Sequence, residues 1–148
     1  MSYSEKVLIK GSPQQVFKAI SGNVHQWWGK TDAPVNQIND EFTTSFAETF
    51  WKFRITLFEP DKKIVWTCIE AKHIHSGHEG IEKEWLGTSV EWVLEEQADE
   101  KSTLLSFTHN GLVPELNCYD ICYPAWEKFV TKSLKSFVES GKGMPALL

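Results

Sequence analysis

Hydrophobic and polar residues alternate along the middle of the chain, and this alternation predicts a β-sheet. It is clearest in residues 50–58, where every second position is apolar: Trp51, Phe53, Ile55 and Leu57. A period of two places these side chains on one face of a strand and Lys52, Arg54 and Thr56 on the other. Further strands are predicted over 5–9, 41–46, 64–70, 84–95 and 103–109.

The register of the later strands follows from the same period. In residues 84–95 the side chains predicted to face inward are Leu86, Val90, Trp92 and Leu94, and in 103–109 they are Leu105 and Phe107. The intervening residues 73–83 are polar and contain glycine, so we expect a long loop there.

Two helical segments are predicted after the first strand. Ser12 is a good N-cap, Pro13 suits the first helical position, and Gln15 completes a capping box. The buried stripe of this helix consists of Val16, Phe17, Ala19 and Ile20. A second, shorter helix is predicted over 24–28.

A longer amphipathic helix is predicted near the C-terminus. Its apolar stripe has the helical period and comprises Trp126, Phe129, Val130, Leu134, Phe137 and Val138. Gly141 ends it. Pro124 lies either in the first turn of this helix or at a kink after a separate turn at 119–122.

The order of elements predicts one α+β domain over residues 1–148. A curved antiparallel sheet of six or seven strands would surround the long C-terminal helix, with two short helices after the first strand. Such an arrangement leaves space between sheet and helix, which side chains or a ligand must fill.

Composition and charge exclude several classes of function. The net charge is −5, the pI is near 5.5, and Arg54 is the only arginine, so we expect neither nucleic-acid nor membrane binding. We expect no signal peptide, because residues 1–10 contain no apolar h-region. We find no phosphate-binding glycine loop or dinucleotide motif, and we expect no cofactor. Three cysteines without framework spacing predict reduced thiols and a cytoplasmic location.

Several segments resemble those of a known superfamily. They are residues 9–17, the Trp27–Trp28 pair, residues 107–112, and Trp126 with residues 133–143. Over about 6–145 the chain resembles the START-like (SRPBCC) superfamily, and within it the family named for homology to the activator of the heat-shock-protein ATPase. The resemblance implies a helix-grip fold with a hydrophobic cavity. The chaperone-stimulating activity belongs to members with an additional N-terminal domain, for which this chain has no room.

Large apolar side chains on the sheet and the helix are the candidate ligand contacts. They are Trp51, Phe53, Ile55, Trp66, Trp92, Phe107, Trp126, Phe129 and Val130. These side chains would surround a small hydrophobic or aromatic ligand. The alternative is that they pack against one another as an ordinary core.

Histidines provide the other candidate chemistry. His73, His75 and His78 are weak candidates for metal ligands, against the alternative that they lie in solvent. His109, with His25 as a possible companion, is a weak candidate for a general base, against a role in shaping its turn. Cys118 and Cys122 are expected to be core residues. Arg54 would grip a ligand carboxylate only if the register shifted by one residue.

Three functions therefore stay open. We expect a binding module for a small hydrophobic ligand, without catalysis. The first alternative is a cyclase- or hydrolase-type enzyme that uses His109, a carboxylate or Tyr119 at the cavity mouth. The second is a chaperone-associated partner protein.

Overall fold

Seven antiparallel strands form one curved sheet in the computed structural model, which describes residues 1–32 and 34–146. The strands are β1 (Tyr3–Ile9), β2 (Lys30–Thr31), β3 (Glu41–Phe46), β4 (Thr49–Glu59), β5 (Lys63–Lys72), β6 (Ser89–Glu96) and β7 (Thr103–Asn110). Their order across the sheet is β1-β7-β6-β5-β4-β3-β2, so the first strand pairs with the last. The predicted α+β helix-grip architecture is confirmed.

The alternating pattern of β4 places its rings inside. Trp51, Phe53 and Ile55 are buried, whereas Arg54 is exposed and donates two hydrogen bonds to Glu41, of 2.9 and 2.7 Å. The register between β4 and β5 shifts at two points, between Lys52 and Phe53 and between Ile55 and Leu57. Such bulges bend a strand and increase its twist, so they help to curve the sheet.

The first helix, α1 (Pro13–Ser21), begins at the predicted capping box. The Ser12 hydroxyl accepts a hydrogen bond from the Gln15 backbone N–H at 3.2 Å, and the Ser12 N–H donates to the Gln15 side chain at 2.8 Å. Val16, Phe17, Ala19 and Ile20 are all buried, as predicted. A short 3₁₀ turn at Val24–Gln26 follows.

We expect Ser12→Ala to lower the free energy of unfolding by about 1 kcal/mol, because the substitution leaves the Gln15 N–H without its acceptor. Urea unfolding followed by circular dichroism measures this loss. Ser76→Ala, at an exposed loop position, is the control and should change stability by less than about 0.5 kcal/mol. An equal effect of the two substitutions would contradict the capping role of Ser12.

The C-terminal helix runs through three consecutive segments. They are α2 (Tyr119–Lys128), a π-helical stretch at Phe129–Leu134, and α3 (Lys135–Ser140), which ends at Gly141 in the left-handed conformation. Pro124 lies inside α2, and residues 119–122 form the first turn of the same helix rather than a separate turn. Of the predicted stripe, Trp126, Val130 and Leu134 are buried, while Phe129, Phe137 and Val138 are partly buried.

The π-helical stretch shifts which side chains face the sheet. Ser133, a polar residue, becomes fully buried, where its hydroxyl donates to the Trp27 carbonyl at 2.6 Å and accepts from the Met144 N–H at 2.7 Å. This contact joins the helix to both the segment after α1 and the C-terminal residues. Helical irregularities of this kind are frequent at functional sites.

One prediction about the sheet was wrong. Strand β6 begins at Ser89, and the preceding residues form turns in which Leu86 is 49% exposed and Trp85 is 3% exposed. Gly87, at φ +84°, adopts a conformation that glycine accommodates readily and that ends the alternating pattern. The inward residue is therefore Trp85, whose ring joins the core.

None of the helices in the described part of the chain is long and apolar enough to cross a membrane. Cys68, Cys118 and Cys122 are all buried free thiols. The cytoplasmic location that they suggested stays a prediction.

Candidate functional site

A cavity of about 270 Å³ opens between one end of the sheet and the C-terminal helix. Its wall is mostly apolar. It is built from the segment between α1 and β2, β3, β4, the loop after β5, the turn before β6, and the C-terminal helix. The lining residues are Trp28, Phe46, Thr49, Trp51, His73, Ile74, His75, Trp85, Ile121, Cys122, Ala125, Trp126 and Phe129.

Four tryptophans in the cavity wall form a group of nearly parallel rings. Trp51 and Trp85 stack with their centroids 4.0 Å apart, and Trp85 and Trp126 follow at 5.7 Å. Trp28 completes the group, 4.8 Å from Trp126 and 6.1 Å from Trp51. All four side chains are buried and stack on one another, so the group forms a rigid apolar wall.

Few polar groups face this surface. The Thr49 hydroxyl donates to the Ile74 carbonyl at 3.0 Å and accepts from the Ile74 N–H at 2.9 Å. These two bonds hold Ile74, which is 44% exposed, at the edge of the cavity. An apolar pocket with a few fixed polar atoms is typical of small-molecule sites.

The predicted ligand contacts separate into two groups. Trp51, Trp126 and Phe129 line the cavity. The other six are not among its lining residues: Phe53, Ile55, Trp66, Trp92, Phe107 and Val130, all fully buried in the core. Their role in contacting a ligand stays a prediction.

Sequence reasoning missed several residues of the cavity wall. The sequence places Trp28 at the end of a short predicted helix and in a resembling segment, and Phe46 at the end of a predicted strand, but indicates no role for either in a cavity. The alternation over 84–95 predicts Leu86 on the inward face and does not identify Trp85. Gly87 was the available indication that the strand begins later.

His109 lies on β7 with its side chain fully buried. The Trp126 indole N–H donates to His109 Nδ1 at 3.0 Å, so a neutral ring carries its proton on Nε2 and donates to the Thr88 hydroxyl at 2.8 Å. Burial lowers the pKa of His109 from its usual 6.5 to about 3. Both ring nitrogens are thus engaged within the protein, which favours a structural role over that of a general base. His25, the possible companion, is exposed.

The three histidines considered as metal ligands do not form one group. His75 and His78 face each other across a tight turn, with ring centroids 5.0 Å apart. His73 is buried and lies instead beside Cys118 and Cys122, and the ligand atoms of these three residues are all within 4.8 Å of one another.

The two cysteines of this cluster influence each other. A hydrogen bond between the thiols lowers the pKa of Cys118 to about 6, with further contributions from His73 and Trp85, and raises the pKa of Cys122. Cys118 precedes α2, and Cys122 follows one turn later on the same side of the helix. The predicted core location of both is confirmed, but their shared histidine neighbour was not predicted.

Comparison with known proteins establishes the fold. No protein-family model and no curated protein matches the sequence. Among solved structures, the Aha1 dimer from Colwellia psychrerythraea has a TM-score of 0.70 at 23% identity, covering 97% of this chain and 99% of that one. DynU16, a putative protein of the dynemicin biosynthetic locus, has a TM-score of 0.71 at 18% identity.

The extent of these likenesses differs. The match with DynU16 covers 95% of this chain but only 48% of DynU16. A protein from Mesorhizobium loti matches over 86% of this chain and 90% of its own, with a TM-score of 0.66 at 18% identity. At these identities the likeness shows the fold alone, which is the helix-grip (START-like) fold.

Proposed function

We propose that the protein binds a small hydrophobic or aromatic molecule in the cavity between the sheet and the C-terminal helix. The observation that carries this proposal is the cavity itself, about 270 Å³ in volume and walled by four tryptophan rings. Flat rings stack favourably on other flat apolar groups. A planar ligand of one or two rings suits this wall best.

The apolar wall of the cavity, more than its size, supports ligand binding. Protein cores are close-packed, with few voids larger than a water molecule. An apolar cavity of roughly 150 Å³ is already enough to take up benzene. The cavity described here is larger and opens towards solvent, which gives a ligand a route to enter.

The enzyme alternative finds less support than binding. His109 was its best candidate for a general base. That residue is fully buried, and its two ring nitrogens are hydrogen-bonded to Trp126 and Thr88. A cyclase or hydrolase reaction would require another group at the cavity mouth.

The first test is native mass spectrometry of the purified protein, followed by analysis of the molecules released on denaturation. We expect one small apolar molecule per chain. Isotope-labelled protein, stripped of ligand and titrated with indole, then gives a test at the level of residues. The tryptophan N–H signals of Trp28, Trp51, Trp85 and Trp126 should shift, and that of Trp27, which does not line the cavity, should shift least.

Two matched variants on the C-terminal helix show whether indole enters the cavity. Ala125 is exposed and lines the cavity, so Ala125→Trp should block binding while leaving the fold intact. Lys132 is exposed on the same helix but does not line the cavity, so Lys132→Trp should bind indole as the wild type does. Absence of a co-purified molecule together with unchanged tryptophan signals would refute the proposal and favour the enzyme or chaperone-partner alternatives.

A further inference from the structure

We propose that His73, Cys118 and Cys122 form a binding site for one Zn²⁺ ion at the wall of the cavity. This inference goes beyond the proposed binding of a hydrophobic ligand and does not depend on it. Its basis is the position of the three side chains and the chemistry of their donor atoms.

The geometry is close to that of a three-ligand zinc site. All three residues are buried, and their ligand atoms lie within 4.8 Å of one another. With zinc–sulfur distances of about 2.3 Å, ligand atoms in a tetrahedral site are roughly 3.5–3.8 Å apart. Small side-chain movements, without rearrangement of the backbone, therefore suffice to bind the ion.

The backbone holds the three ligands in place. The two cysteines lie one turn apart at the start of α2, where the Glu84 carboxylate accepts hydrogen bonds from the Cys118 and Asn117 N–H groups at 2.9 and 2.8 Å. His73 follows β5, and its N–H donates to the Glu82 carbonyl at 3.0 Å. Contacts from one loop thus position both the helix start and the histidine.

An unsatisfied polar atom points independently to a missing ligand. His73 is only 8% exposed, and its Nδ1 has no hydrogen-bond partner within the described residues. A buried nitrogen without a partner destabilises the folded protein, and a metal ion bound through Nδ1 removes this cost. The Trp85 indole nitrogen is also buried. It lies beside the two thiols and suits a thiolate acceptor.

The donor set selects zinc over harder cations. One imidazole and two thiolates are typical ligands of Zn²⁺, whereas Mg²⁺ and Ca²⁺ prefer oxygen. On binding, the two thiols release their protons, so the ion, two thiolates and a neutral imidazole carry no net charge in an apolar wall. His73 and Cys122 line the cavity, so the fourth coordination position is reached from it.

Titration of the reduced, metal-free protein with Zn²⁺, in competition with a chromophoric chelator, tests the site. We expect one ion per chain, and we expect Cys118→Ser, Cys122→Ser and His73→Asn each to weaken binding by more than roughly 100-fold, beyond the effect typical of outer-shell changes. Cys68→Ser, at a buried thiol outside the cluster, should bind as the wild type does. The double variant His75→Ala/His78→Ala should also bind normally, which separates this site from the neighbouring histidines.

Cobalt substitution gives a readout on the wild-type protein, which does not depend on how the variants fold. Co²⁺ bound to the wild-type protein should show thiolate-to-cobalt charge-transfer absorption and the visible bands of tetrahedral coordination. Stoichiometric binding with these bands supports the proposal. The proposal is overturned if the wild type binds no Zn²⁺, if its Co²⁺ complex lacks the charge-transfer band, or if folded variants of Cys118 and Cys122 keep the wild-type affinity.

Discussion

Replacing Trp92 by alanine is expected to lower the free energy of unfolding by about 3–5 kcal/mol, a large part of the stability of a domain of this size. Trp92 is fully buried on β6. Its ring packs against Phe107 at 4.8 Å, Trp66 at 5.0 Å and Trp27 at 5.7 Å. Truncation leaves a void among rigid aromatic rings, which cannot collapse to fill it.

Trp92→Phe keeps an aromatic ring at this position and removes the indole nitrogen. The Trp92 Nε1 has no hydrogen-bond partner among the described residues, so the substitution breaks no hydrogen bond and removes only part of the ring. We therefore expect the free energy of unfolding to fall by roughly 1–2 kcal/mol. Leu86→Ala, at a side chain that is 49% exposed, should change stability by less than about 0.5 kcal/mol. Urea unfolding measured by far-ultraviolet circular dichroism gives all three values, and a Trp92→Ala loss below about 1 kcal/mol would contradict the packing described here.

Acidification is expected to destabilise the protein through His109. Because burial lowers the pKa of His109 from 6.5 to about 3, the unfolded chain takes up a proton below pH 6.5 that the folded chain does not. Stability is therefore fully present above about pH 6.5 and is lost progressively as the pH falls towards 3, by an amount on the order of 4–5 kcal/mol. Between about pH 6.5 and pH 5 the loss from this residue is roughly 1.5 kcal/mol.

A histidine variant isolates this contribution from that of acidic groups. The Arg54 guanidinium lowers the pKa of Glu41, and Lys63 lowers that of Glu91, so these carboxylates lose stabilising interactions at lower pH. His109→Gln retains a donor and an acceptor for Thr88 and Trp126 but does not titrate, so its stability should be nearly constant from pH 6.5 to pH 5. His25→Gln, at an exposed position, should follow the wild type. Parallel pH profiles for the wild type and His109→Gln would show that His109 does not control the acid sensitivity.

Local patterns in the sequence were enough to predict most elements of the fold. The alternation over 50–58 predicted the buried face of β4, and the Ser12 and Gln15 pair predicted the start of α1. The helical period from Trp126 onward predicted the C-terminal helix. These features depend on neighbouring residues, because the strand and helix periods and the capping bonds are properties of short segments.

The cavity wall could be predicted only in part. Trp51, Trp66 and Trp92 all carry the same inward pattern on their strands, yet only Trp51 lines the cavity. Periodicity tells which face of a strand a side chain occupies, but not how closely the opposite helix approaches that face. The π-helical stretch, which determines how the helix presents Phe129, leaves no recognisable pattern in the sequence.

The sequence by itself determined the class of fold, the capped first helix, the amphipathic last helix and the aromatic character of the interior. Only the tertiary structure decided which rings surround the cavity, that Trp85 rather than Leu86 faces inward, and that His73 meets Cys118 and Cys122. The physical reason is distance along the chain. The features that the sequence determined depend mainly on residues close together in the chain. The features that the tertiary structure decided depend on how the loop after β5, the turn before β6 and the start of α2 pack together in space.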